Sequence, residues 1–141
     1  NALALIIGVE GYKNTNANAL YADRDAKMFR DFASEKLGIP ENRIKTLLNN
    51  KAEYAEILIT TKDWLRRTSK ANKSDIYIFF AGHGLASDDG EKMYLLPYDG
   101  SPRLLDRTAT SVMMHAWAWR GSSVRVAPPV ETLQGGAGSR P

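Results

Sequence analysis

Cysteine is absent from all 141 residues, and no other absence excludes as much. There can be no disulfide framework, no thiolate zinc site and no thiol nucleophile within this chain. Such a composition fits a reducing compartment, so a cytoplasmic location is expected. Long apolar runs are missing too: nothing approaches the ~20 residues needed to cross a bilayer. Charge of one sign is not in excess. There are 19 Lys and Arg against 16 Asp and Glu, and three of the arginines but one of the glutamates fall beyond residue 109. The remainder is nearly neutral and carries no electrostatic footprint for nucleic acid or an anionic membrane. Two isolated histidines, His83 and His115, make no recognisable zinc pattern without cysteine. A Gly-x-Ser-x-Gly nucleophile elbow is also lacking, which disfavours an α/β-hydrolase.

The length suits one domain or a large piece of one, and a hydrophobic share of 43% is ordinary for a chain that buries a core. The opening Asn1-Ala-Leu-Ala-Leu-Ile-Ile7 has no basic n-region and no initial Met. It reads as a strand at a cut boundary and not as a signal peptide.

Leu3 to Val9 is an apolar run and a first buried strand. After an Asn-rich loop, Ala22, Ala26, Phe29, Ala33 and Leu37 recur at steps of three and four, the period of a helix with one buried face. Gly38 and Pro40 stop it. Arg43 to Leu48 is a short second strand. Asn50 with Glu53 three residues on resembles a capping box. Tyr54, Ile57, Leu58, Thr61, Trp64 and Leu65 then form the apolar stripe of a second helix. Lys92 to Pro97 reads as a further strand. The alternation of strand and helix argues for a parallel sheet covered on both faces.

The densest signal is Asp75-Ile-Tyr-Ile-Phe-Phe-Ala-Gly-His83-Gly84, in which Ile76 to Gly82 carries no charge. A run like this is a strand buried on both faces, and open α/β sheets gather their chemistry at the carboxyl ends of such strands. An isolated histidine in that place is commonly structural. Its context argues for chemistry. Gly82 and Gly84 remove Cβ obstruction beside it and leave the Gly84 N–H free to face an oxyanion. Imidazole is the side chain suited to exchange a proton with a thiol near neutral pH.

Four segments in register carry a family resemblance: Ala4-Leu-Ile-Ile-Gly-Val9, Leu20-Tyr-Ala-Asp-Arg-Asp25-Ala26, Ile78-Phe-Phe-Ala-Gly-His83-Gly84 and Tyr94-Leu-Leu-Pro97-Tyr-Asp99. Over residues 2–109 the chain resembles the caspase and metacaspase superfamily of cysteine endopeptidases, which are thiol proteases. The resemblance implies a three-layer α/β fold with a mostly parallel central sheet, incomplete at its C-terminus. It implies His83 as general acid/base and Gly84 as an oxyanion-hole donor. It also implies Asp25 as the pocket carboxylate that pairs with a P1 arginine or lysine. Asp25 could instead be a first-turn helix acid, and Asp23 lies close enough to compete for the role. The implied partner is a protein or peptide substrate, with no nucleic acid, membrane or cofactor. Calcium at Asp88-Asp89-Gly90-Glu91 is conceivable, though a solvated turn fits that spacing better.

The thiol is the departure. Caspase-type cysteines lie about 50 residues beyond the histidine, here among Glu131-Thr-Leu-Gln-Gly-Gly-Ala137, behind the double proline Pro128-Pro129. Residues 110–141 also contain no Phe, Tyr, Ile, Asn, Asp or Lys and show no evident period. They are expected to be an irregular tail, disordered or non-native, after a domain spanning 1–109. The reading is therefore an endopeptidase domain truncated before its nucleophile and inactive as this chain. The alternative is a non-catalytic caspase-like module that binds or regulates a partner.

Overall fold

The computed structural model describes residues 1–86, 93–103, 110–111 and 123–127. Its centre is strand β1 (Leu3–Gly8), every residue of which is buried. Strand β2 (Ile44–Leu48) pairs parallel on one side of it, and β3 (Asp75–Ala81) pairs parallel on the other. Helix α1 (Ala22–Glu35) joins β1 to β2, and helix α2, starting at Tyr54, joins β2 to β3. Because the chain steps from β1 to one neighbour and then back to the other, right-handed crossovers place α1 and α2 on opposite faces. The side chains sort accordingly. Ala4, Ile6, Phe79 and Ala81 pack with Ala22, Ala26 and Ala33 of α1. Leu5, Ile7 and Phe80 cluster with Ile57, and Leu3 and Ile76 with Leu65, all on the α2 side. The caspase-like α/β layering expected from the sequence is the architecture observed.

Helix α1 lies unusually close to β1. A Cβ built on Gly8 would sit 2.6 Å from the Ala26 Cβ and 2.8 Å from the Ala22 carbonyl oxygen. The second neighbour is backbone, so it cannot rotate away. Gly8→Ala is expected to destabilise the fold by about 1–3 kcal/mol through overpacking, read as a lowered urea midpoint with unchanged slope. The helix ends as anticipated. Gly38 takes φ +63°, and the Ile39 N–H reaches back to the Ala33 carbonyl.

The start of α2 corrects one expectation. No Asn50–Glu53 capping box forms, because Asn50 is held in a 3₁₀ turn (Asn49–Lys51). The Tyr54 N–H is capped from a distance by Asp99, whose Oδ1 accepts it at 2.7 Å. The helix runs Tyr54–Ile59, widens to a π-helical stretch at Thr60–Leu65 and closes with an α-turn at Arg66–Thr68. Threonine explains part of this. Thr61 Oγ1 donates to the Ile57 carbonyl and Thr68 Oγ1 to the Trp64 carbonyl, competition that loosens a helical ladder.

Beyond β3 a small antiparallel sheet forms from β4 (Gly84–Ala86), β5 (Met93–Leu95) and β6 (Thr110–Ser111). β5 is the strand read from Lys92 to Pro97. The expectation of a featureless tail is corrected at β7 (Ser123–Ala127), which pairs parallel with β3 and gives the main sheet the order β2-β1-β3-β7. Ser-Val-Arg-Val-Ala alternates polar with apolar, and an apolar run such as β3 needs a neighbour on each side. The described strand ends at Ala127. The Asp88–Glu91 turn, His115 and the rest of the tail lie outside the described residues. Among the described residues no helix is long and apolar enough to cross a membrane.

Candidate active site around His83

In a sheet wound both ways from β1, the crevice opens where the crossovers diverge, at the carboxyl ends of β1 and β3. The two ends are held in step. Gly8 lies opposite Ala81, and the Val9 N–H donates to the Ala81 carbonyl at 2.9 Å. His83 leaves β3 two residues later, directly into this crevice, and is half-buried there.

The loop leaving β1 receives it. Ala19 N–H donates to the Glu10 carbonyl at 2.8 Å and closes the loop on itself. Glu10 N–H is taken by Asn49 Oδ1, Lys13 N–H by the Tyr98 carbonyl, and the Asn14 amide donates to the Asp99 carbonyl. A loop tied at four points presents two groups to His83. The Tyr12 hydroxyl accepts the His83 backbone N–H at 2.6 Å, and its ring stacks on the imidazole with centroids 5.0 Å apart. The Ala17 carbonyl lies 3.0 Å from Nε2.

A carbonyl oxygen only accepts, so Nε2 carries the hydrogen in this contact. The neutral ring then has its lone pair at Nδ1, which is without a protein partner among the described residues. Gly84 is placed with similar economy. The Leu96 N–H donates to the His83 carbonyl, which makes Gly84 and Leu95 the non-hydrogen-bonded pair of the β4–β5 ladder. The Gly84 N–H therefore turns away from β5. Burial pushes the Tyr12 hydroxyl up to about 12, so it stays neutral across the working range.

A cleft of about 770 Å³, which His83 itself does not line, is bordered by Glu10, Tyr12, Asn16, Asn49, Asp23 and Tyr98, among others. A hydrogen bond to Asp23, then burial, holds the Glu10 carboxyl above its ordinary value. The same bond, then Lys27, holds Asp23 below its own. Lys27 Nζ is 3.1 Å from Asp23 Oδ2. Asp25 does not line this cleft. Two residues apart on a helix is about 200° of rotation, so Asp23 and Asp25 leave α1 in different directions. His83 and Gly84 are brought together at the crevice; Asp25 stands off on the first turn of α1. Among the described residues no group of three His, Cys, Asp or Glu could hold a metal ion.

Sequence reasoning missed Tyr12 and Ala17. Tyr12 could have been suspected, since it follows the strand adjacent to the histidine strand. Ala17 acts through its carbonyl, which side-chain chemistry does not reveal.

The family model of the caspase domain matches residues 1–116. The solved structure of protein GSU0716 from Geobacter sulfurreducens superposes with a TM-score of 0.60 at 15% identity, covering 89% of this chain and 48% of that one. At that identity the likeness speaks for the fold alone, and the chain spans about half the length of the relative. No curated protein matches. With the family's motif segments folded around one crevice and its model matching most of the residues, the chain belongs to the caspase-domain family.

Proposed function

We infer that this domain is the histidine-bearing part of a cysteine endopeptidase, cleaving after arginine or lysine as metacaspases do, whose thiol lies outside this chain. One observation carries the reading: an imidazole held through Nε2 at the switch point of the sheet, its Nδ1 left without a protein partner among the described residues. In the reaction, Nδ1 takes the thiol proton as sulfur attacks the scissile carbonyl carbon. The carbonyl electrons move to oxygen, for which the Gly84 N–H is the proposed donor. Collapse of that adduct breaks the C–N bond, and His83 returns the proton to the leaving amine. Water attacks the thioester with His83 again as base, releasing the acid and restoring the thiol. Asp25 is the proposed partner of the basic P1 side chain.

This chain alone is expected to give only background with Arg- and Lys-terminated fluorogenic peptides. Turnover that disappears on His83→Ala would reveal another nucleophile and refute the missing-thiol account. The lack of any cysteine also favours a second reading, a non-catalytic caspase-like module. A thiol-directed, arginine-bearing covalent probe separates the two: it labels the full-length protein if that carries the nucleophile and leaves a pseudoenzyme unmarked.

A further inference from the structure

We propose that Tyr12 is the positioning residue for His83, setting both its backbone and its ring. The inference rests on His83 being the acid/base, and three observations point to it. First, the Tyr12 hydroxyl takes the His83 N–H at 2.6 Å, the donor that a residue leaving a strand would otherwise have unpaired. Second, the phenol ring stacks on the imidazole at an interplanar angle of 23°. Such a stack is attractive whether the imidazole is neutral or charged, as a group that gains and loses a proton each cycle requires. Third, Gly82 is shaped around Tyr12. A Cβ there would lie 2.7 Å from the Tyr12 hydroxyl oxygen and 2.9 Å from Phe80 Cζ. The glycine before the histidine thus makes room for the tyrosine, a cause separate from access for substrate.

Tyr12 is itself held firmly, being 9% exposed within the cluster formed with Leu5, Val9, Ala52 and Leu96. Its loop also carries Ala17, so one segment fixes the imbalance between the two ring nitrogens. The stack sets the ring plane, and the Ala17 carbonyl then selects Nε2 as the protonated nitrogen. Without the stack the ring can turn, and both tautomers become available.

The test uses the 141-residue chain labelled with ¹⁵N, the His115 signals being assigned with His115→Ala. Wild type is expected to show a single Nε2–H tautomer in long-range ¹H–¹⁵N spectra and a slowly exchanging His83 amide. Tyr12→Phe keeps the stack and removes the acceptor, so the tautomer persists while the His83 amide exchanges at least about tenfold faster. Tyr12→Leu additionally averages the two ring nitrogen shifts. In an active full-length protein Tyr12→Leu lowers kcat about tenfold or more with KM little changed, and Tyr12→Phe recovers most of the loss. An unchanged His83 amide in Tyr12→Phe overturns the proposal, and this variant decides if Tyr12→Leu unfolds. Failure of the enzymatic reading is distinct: the full-length protein would then show no turnover, or none that His83→Ala reduces, while these spectra still respond to Tyr12.

Discussion

His83→Ala in the full-length protein is expected to lower kcat/KM toward peptides by roughly 100- to 10,000-fold, the range for loss of a positioned acid/base. KM should move far less, because on the proposed mechanism the imidazole transfers protons and does not hold the substrate. The fold should survive. His83 is half-buried and lies beyond the last residue of β3; its ring stacks on Tyr12, which stays packed in its own cluster with Leu5, Val9 and Leu96. Its backbone bonds to Tyr12 and from Leu96 remain available to alanine. Circular dichroism and an unaltered denaturation midpoint would establish that the loss is chemical. Partial recovery with added imidazole would place the missing group in the crevice. Activity within twofold of wild type would remove His83 from the mechanism altogether.

The parts of this fold that could be read in advance are those governed by local period. β1 and β3 are uninterrupted apolar runs because both faces are covered. α1 shows its spacing because one face meets the sheet through Ala22, Ala26 and Ala33. What escaped was decided by distant partners. The cap of α2 comes from Asp99, 45 residues along the chain, so the local Asn50–Glu53 pattern was a poor guide. β4 is three residues, Gly84–Ala86, and exists because β5 lies beside it. β7 is a short alternation in a stretch of unusual composition, and the open edge of β3 gives it a place. At the candidate site the place of His83 just beyond β3 was legible and its surroundings were not. Tyr12 reaches His83 from 71 residues away, and Ala17 contributes only backbone.

The second large effect concerns specificity, where two carboxylates on α1 make different claims. Family resemblance assigns the basic P1 side chain to Asp25. Geometry gives the cleft beyond Tyr12 to Asp23, already engaged by Glu10 and Lys27. An aspartate so engaged offers little to an incoming guanidinium, because binding it must first displace Lys27 from one oxygen. Asp25 has no ion pair among the described residues. Truncating one partner of a desolvated charge pair costs on the order of 2–5 kcal/mol, which corresponds to more than tenfold in kcat/KM. Asp25→Ala in the full-length enzyme is therefore expected to remove most cleavage after arginine and lysine while circular dichroism stays unchanged. Asp23→Ala should cost a few-fold at most. The measurement is a P1 scan with matched Arg, Lys and Asp peptides on both variants. If Asp23→Ala carries the larger loss, the pocket belongs to the Glu10–Asp23 side of the helix. If the enzyme cleaves after aspartate, a carboxylate cannot line its P1 pocket, and Asp25 is only a first-turn acid favoured by the helix dipole.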